Sequence, residues 1–337
     1  MMHEIDPAEH GGKIKQFLES GYSLLDFSAS INPLPPALDL SIQYDEVCFY
    51  PDSSYTSLKK VIATYHECNL DQVAVGNGSV ELIRLICMLT LNKGDLVCTA
   101  EHTFGEYGMS ARLCGASTTH DPHGARLHFL CNPENPTGEL VQKKQMEEYI
   151  QKSAQDPDRV LIIIDEAFID LADPSASIIP FIKNKEKGKM IVLRSLTKSF
   201  GMPGVRFGYA IGAPDMIRNI ETLRSPWSVN ALSEKVAKEA FSHMDELAAS
   251  RKYIQKEREF MTATCEHAGF CCSQAAANYI LIQAHRPASE IAEEMISHGF
   301  LVRDCTSFGL PSSVRVAVRL HEENEALLEA LIPCLSL

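Results

Sequence analysis

The chain has 337 residues, 45% of them hydrophobic and 22% charged, a globular composition that leaves no case for disorder, collagen or a coiled coil. With 31 Lys and Arg against 44 Asp and Glu, the formal net charge of −13 repels nucleic-acid backbones and anionic membrane surfaces. The length exceeds the ~250–300 residues at which single cores stop growing, so a large domain with a smaller companion is expected.

Met1, Met2, His3 and Glu4 open the chain without a basic region followed by an apolar one, which predicts a cytoplasmic address. No apolar stretch approaches the ~20 residues of a membrane span. Residues 1–40, broken by Pro33, Pro35 and Pro36, form an arm expected to pack with the smaller domain. From Tyr50 to Gly212 helical and strand-like segments alternate, the α/β signature. A helix is predicted over Tyr55–Glu67 and a strand over Gln72–Val75; the turn Gly76-Asn77-Gly78 then opens a helix over Ser79–Leu91. Further strands are predicted over Leu96–Thr99, Ala116–Thr119, Leu127–Cys131, Val160–Ile164, Met190–Leu193 and Phe207–Ile211. The unbroken apolar run at 160–164 suits a parallel strand covered on both faces. After Trp227 the pattern predicts one long helix over Ala231–His267, a strand Tyr279–Gln283, a helix Ala288–His298 and a strand Val314–Val318. The expected division is therefore an arm over 1–40, a large domain over 41–228 and a small α+β domain over 229–337. The 11 cysteines show no CxxC pair or metal-ligand spacing, so they are read as reduced core thiols and no metal site is expected.

Four features carry chemistry. Lys198, in Arg194-Ser195-Leu196-Thr197-Lys198, follows a strand and precedes Arg206 by eight residues. Alone it reads as a solvated loop lysine; in the company of Arg206 and the loop hydroxyls, at the carboxyl end of an α/β sheet, it lies where ligands bind. Asp165 ends an apolar strand, where ionisation demands a cationic partner, a helix cap or a salt bridge. Asn135, in Asn132-Pro133-Glu134-Asn135-Pro136-Thr137-Gly138, presents an amide from a turn too proline-rich to be helical. Gly78, Ser79 and Val80 open a helix whose free amides favour an anion, although such a turn also serves as plain connection. An amine, a buried acid, an amide and an anion cradle together match one cofactor, pyridoxal 5′-phosphate, which needs a lysine, an acid at its ring nitrogen and a phosphate site.

The strings NPENPTG, IIIDEAF, RSLTKSFGMPGVRFGY and VRVAVR occur in the order and spacing of a known family. The chain resembles the fold-type I pyridoxal-phosphate enzymes of the class I/II aminotransferase superfamily, most closely its branch of histidinol-phosphate aminotransferases and threonine-phosphate decarboxylases. The resemblance implies an α/β large domain with a mostly parallel sheet and a homodimer with composite active sites. By position it makes Lys198 the Schiff-base lysine, Asp165 the partner of the ring nitrogen, Asn135 the donor to the phenolic oxygen and Phe104 the stacking aromatic. Gly78, Ser79, Val80, Ser195 and Arg206 would hold the phosphate, and Tyr50 would reach the neighbouring subunit's phosphate. Arg315 would bind the substrate α-carboxylate. Phe168 departs from the Tyr usual in aminotransferases of the branch and is similar to the decarboxylases. The leader motif His10-Gly11-Gly12, with Asn32 and Arg303, resembles the decarboxylase's substrate-phosphate handle. For these residues a flexible tail and an exposed strand-end charge are the alternatives. Ser30 and Pro35 stand where that branch has Asn and Gly. The implied reaction is decarboxylation of threonine O-phosphate to 1-aminopropan-2-yl phosphate, the linker of the cobalamin nucleotide loop. Aminotransfer to histidinol phosphate is the alternative.

Overall fold

The computed structural model describes residues 7–153, 161–183 and 189–336; Met1 to Glu4, and Val160 at the head of a predicted strand, lie outside them. A two-residue strand in the leader, β1 (Leu25–Asp26), precedes a seven-stranded sheet. That sheet comprises β2 (Val73–Gly76), β3 (Leu96–Cys98), β4 (Ser117–Thr119), β5 (Leu127–Cys131), β6 (Leu161–Asp165), β7 (Met190–Ser195) and β8 (Gly208–Gly212), in spatial order β2-β8-β7-β6-β5-β3-β4. β8 runs opposite to the other six strands, which share one direction, so the sheet is mostly parallel, as the α/β reading predicts.

The two-residue period of the strands divides their side chains between two cores. Ile162, Ile164, Val192 and Ile211 join one, while Leu161, Ile163, Ile191, Leu193 and Ala210 join the other. Both faces are thus dry, which is why the run at 161–164 shows no polar alternation.

The remaining strands are β9 (Tyr279–Gln283), β10 (Phe300–Leu301), β11 (Arg303–Asp304) and β12 (Ser313–Ala317). The last two form an antiparallel sheet with β9 in the order β11-β12-β9. The leader joins this half of the molecule: β1 pairs in parallel with β10, and Phe27 exchanges backbone bonds with Leu301 and Ala317 at 2.8 and 2.9 Å.

Two expectations require correction. The predicted helix Ala231–His267 is two helices, Ala231–Ser242 and Leu247–His267, separated by a 3₁₀ turn at Met244–Glu246. His243 bonds Glu239 and Glu246 across the break at 3.3 and 2.7 Å, and the buried Met244 and Leu247 anchor the turn in the core. The cysteines are all free, but Cys48 and Cys271 are exposed and are not core thiols. Among the described residues, no helix is long and apolar enough to cross a membrane.

Candidate active site

Because β2, β3, β5, β6 and β7 run the same way, the loops that follow them emerge on one edge of the sheet, joined there by the chain entering β8. Cross-strand partners Cys131↔Asp165, Asp165↔Leu193, Ser195↔Gly208 and Gly76↔Gly208 bring the four chemical features into one row.

Lys198 lies in a single helical turn, Leu196–Ser199, directly after β7. Its Nζ stands 5.9 Å from the centroid of the Phe168 ring. Burial, with Arg315 and Arg206 nearby, pushes its amine down to about 8. On β7 just before the turn, Arg194 is fully enclosed and donates to Glu166 at 2.9 Å, to Ser177 at 3.0 Å and to Asp170, which in turn accepts from Ser199 of the turn at 3.5 Å. No feature of the sequence alone distinguished Arg194 from a surface charge.

Asp165 is 3% exposed, and burial pushes its carboxyl up to about 6. The opposing influences are the Tyr107 hydroxyl, which donates to Oδ2 at 2.9 Å, and the Ala167 N–H, which donates to Oδ1 at 3.1 Å. Tyr107 was not singled out from sequence. Its signal is an aromatic three residues after Phe104 at the opening of the helix Gly105–Leu113, where residues three apart share a face. Its ring stacks on Phe129 at 4.5 Å and meets the edge of Phe104 at 5.5 Å, linking the predicted stacking residue to the predicted acid.

Asn135 is buried, and its carbonyl accepts from Arg315. Its N–H₂ end is thereby oriented as the donor. Glu134, also overlooked in the sequence, accepts from the Thr103 hydroxyl at 2.7 Å and the Asn135 N–H at 2.9 Å, tying the Phe104 loop to the Asn135 turn. Burial pushes its carboxyl up to about 7.

The anion cradle is built by glycine. A Cβ at Gly78, which has φ +79°, would sit 2.6 Å from Arg206 Nη2, and a Cβ at Gly208 would sit 2.4 Å from the Ser79 nitrogen. Arg206 itself adopts a left-handed φ of 51° and donates to Pro203 O at 3.0 Å. Asn77 gives its N–H to Glu81 at 2.6 Å and Gly78, expected among the phosphate donors, gives its own to Gly76 O at 2.8 Å, so the cradle falls to the amides of the first helical residues, Ser79 and Val80. Ser195 lies beside them in register, its hydroxyl bonded to that of Thr197 at 2.8 Å.

Arg303 and Arg315 are directly opposite each other on β11 and β12, and both are buried, so Arg303 is not the exposed charge of the alternative reading. Arg315 donates to Ser28 O at 3.0 Å and lies over the Tyr279 ring at 4.9 Å; its Nε has no partner among the described residues. Arg303 donates to Ser307 at 2.6 Å and to Glu9 O at 3.1 Å, with the Glu9 carboxylate 3.8 Å away. The leader passes close by. His10 bonds Glu106 at 2.8 Å and lies 5.8 Å from the Phe104 ring. Gly11 packs so closely on Ser28 that a Cβ would meet its carbonyl oxygen at 2.4 Å.

The structure departs from two substrate-site expectations. Asn32 spends its amide N–H groups on Ser199 O at 2.7 Å and Ser250 at 3.0 Å, and its carbonyl on the Leu34 N–H at 3.0 Å, so it holds the leader in place and has no donor left for a phosphate. The Gly12 N–H is likewise taken by the Ser28 hydroxyl at 2.9 Å. Tyr50 stands apart from this cluster, 78% exposed and stacked on Trp227 at 4.4 Å.

The sequence family described as Aminotransferase class I and II matches residues 37–331. A provisionally named threonine-phosphate decarboxylase of Caldanaerobacter subterraneus subsp. tengcongensis is 32% identical, covering 97% of this chain and 94% of its own. A histidinol-phosphate aminotransferase of Moorella thermoacetica is 27% identical over 91% of this chain and 84% of its own. In structure, the histidinol-phosphate aminotransferase of Sinorhizobium meliloti in complex with pyridoxal-5′-phosphate aligns with a TM-score of 0.85 at 20% identity, covering 97% and 95% of the two chains.

The residues present fit that cofactor. The space a Cβ at Gly78 would fill adjoins a guanidinium, as a phosphate requires. Asp165 is a buried acid whose two donors are neutral, as a protonated ring nitrogen requires.

Proposed function

The chain belongs to the class I and II aminotransferase family and its cofactor is pyridoxal 5′-phosphate; from that premise we propose that it decarboxylates threonine O-3-phosphate to 1-aminopropan-2-yl phosphate. When bound, the cofactor accepts the electron pair released as a bond at the substrate Cα breaks. Lys198 would tether it, Asp165 would keep its ring nitrogen protonated, and Asn135 would donate to its phenolic oxygen. Ser79, Val80, Ser195 and Arg206 would bind its phosphate.

The observation that carries the choice of substrate is the Arg303–Arg315 pair. Two like charges directly opposite on adjacent strands repel, and two buried guanidiniums call for two anions between or beside them. A phosphorylated amino acid supplies both: its carboxylate for Arg315 and its phosphoryl group for Arg303, displacing the Glu9 carboxylate that now lies near that side chain. Anchoring at two points lets the protein choose which Cα bond stands perpendicular to the cofactor ring, and that bond is the one that breaks. Once carbon dioxide has left, Lys198 Nζ is the group that returns a proton to Cα; an amine near 8 serves this at neutral pH. Phe168 beside it adds no hydroxyl to the cofactor's phenolic side.

The alternative is histidinol-phosphate aminotransferase, favoured by the relative at 27% identity. The deciding experiment incubates the purified holoenzyme with threonine O-3-phosphate and, in parallel, with histidinol phosphate, each with and without 2-oxoglutarate. One carbon dioxide per amine product, unaffected by the oxo acid, is the expected result. Turnover of histidinol phosphate only in the presence of 2-oxoglutarate would replace this assignment by aminotransfer.

A further inference from the structure

The C-terminal half holds a set of ligand-bearing side chains remote in function from the site above. Glu294 and His298 are four residues apart at the end of the helix Ala288–Ser297 and so share one face. Cys334 comes from the helix His321–Ser336, which packs against the first. One carboxylate oxygen, one imidazole nitrogen and the thiol sulfur lie within 4.8 Å of one another. Cys334 is 2% exposed, Glu294 is half-buried and His298 is exposed, so the set has a closed floor and an open entry.

We infer that Glu294, His298 and Cys334 form a binding site for a divalent ion of the zinc class, clipping these two helices together. Sulfur, imidazole and carboxylate are the ligand types zinc takes, and three protein ligands with one open position is a complete set for a tetrahedral ion with a water. The outer shell is present: Arg286 donates to one Glu294 oxygen at 2.7 Å, fixing the carboxylate and leaving its other oxygen for the ion. Arg286 also donates to Glu290 at 3.3 Å and to Cys334 O at 3.5 Å, so its charge borders the site and is shared between two acids. The Cys334 thiol donates to Ala330 O at 3.2 Å. Binding would transfer that proton to solvent as the sulfur becomes a thiolate ligand. His298 is followed by Gly299, β10 and then Arg303, so the clip would brace the segment that carries the proposed phosphate handle.

The test uses reduced, tag-free holoenzyme, zinc in competition with a chromophoric chelator, and cobalt(II) as the spectroscopic probe. Wild type should bind one equivalent of zinc more than the double variant His298→Ala/Cys334→Ala. Its apparent affinity should rise with pH from about 6.5 to about 7.5, the signature of a displaced thiol proton. Cobalt should give a thiolate charge-transfer band that Cys334→Ser abolishes. His298 is exposed, so His298→Ala alone keeps the test open if a Cys334 variant fails to fold; it should weaken zinc binding at least tenfold. Equal stoichiometry in wild type and variants, or wild-type cobalt spectra without a thiolate band, would overturn the assignment.

Discussion

At the scale of single residues, the account turns on groups held away from their ordinary protonation. Lys198 is pushed down to about 8 because the charged amine is poorly solvated and faces Arg315 and Arg206. Only the neutral amine attacks a carbonyl, so capture of pyridoxal phosphate by the apoenzyme should accelerate as pH rises and level off above about 8, measured by stopped-flow absorbance. Asp165 needs the ring nitrogen's charge as its counterpart; Asp165→Asn should lower kcat by at least ~100-fold while the cofactor still binds. Tyr107→Phe should act more mildly in the same direction. Losing its hydroxyl at 2.9 Å removes a bond to the ionised carboxylate, raises the acid's pKa further and should cost about tenfold in kcat. Lys198, Asp165 and Asn135 could be singled out in the sequence because strand ends and turns announce themselves in the chain. Tyr107 left only its spacing from Phe104 as a signal and Glu134 left none, since Asp165 and Thr103, the partners that give them their roles, lie 58 and 31 residues away.

At the scale of elements, the site depends on strand ends that cannot shift. The single turn bearing Lys198 is tied through Ser199 to Asp170, which with Glu166 and Ser177 encloses the Arg194 guanidinium. Arg194→Met would leave two buried carboxylates without their cation and should destabilise the fold by about 3–5 kcal/mol, read from urea denaturation. The opposed arginines make a second demand on element geometry. Arg303→Ala should raise KM for a phosphorylated amino acid by ~30-fold or more while changing that for its unphosphorylated counterpart little. Equal losses for both would move the phosphate handle elsewhere. The strand Leu127–Cys131 matches its predicted span, and the apolar runs were legible because both sheet faces are covered. The break at His243 was not, because the polar–apolar period continues through it and the turn is set by contacts across the break.

At the scale of the whole molecule, the leader is the element whose role the chain order conceals. Glu9 and His10 reach Arg303, Phe104 and Glu106, β1 joins β10, and Asn32 bonds the backbone of Lys198 at 3.0 Å and that of Ser199 at 2.7 Å. Proline spacing marked this segment as separate, but Asn32 proved to be a fastener where a ligand contact was expected. Against a net charge of −13, anionic ligands must be drawn in by local cations, and Arg206, Arg303 and Arg315 cluster on one side of the sheet edge to do so. The most direct check on this arrangement is borohydride reduction of the holoenzyme followed by peptide mapping. The cofactor should be found covalently fixed to the peptide containing Lys198; a label on any other lysine, or none, would contradict the account.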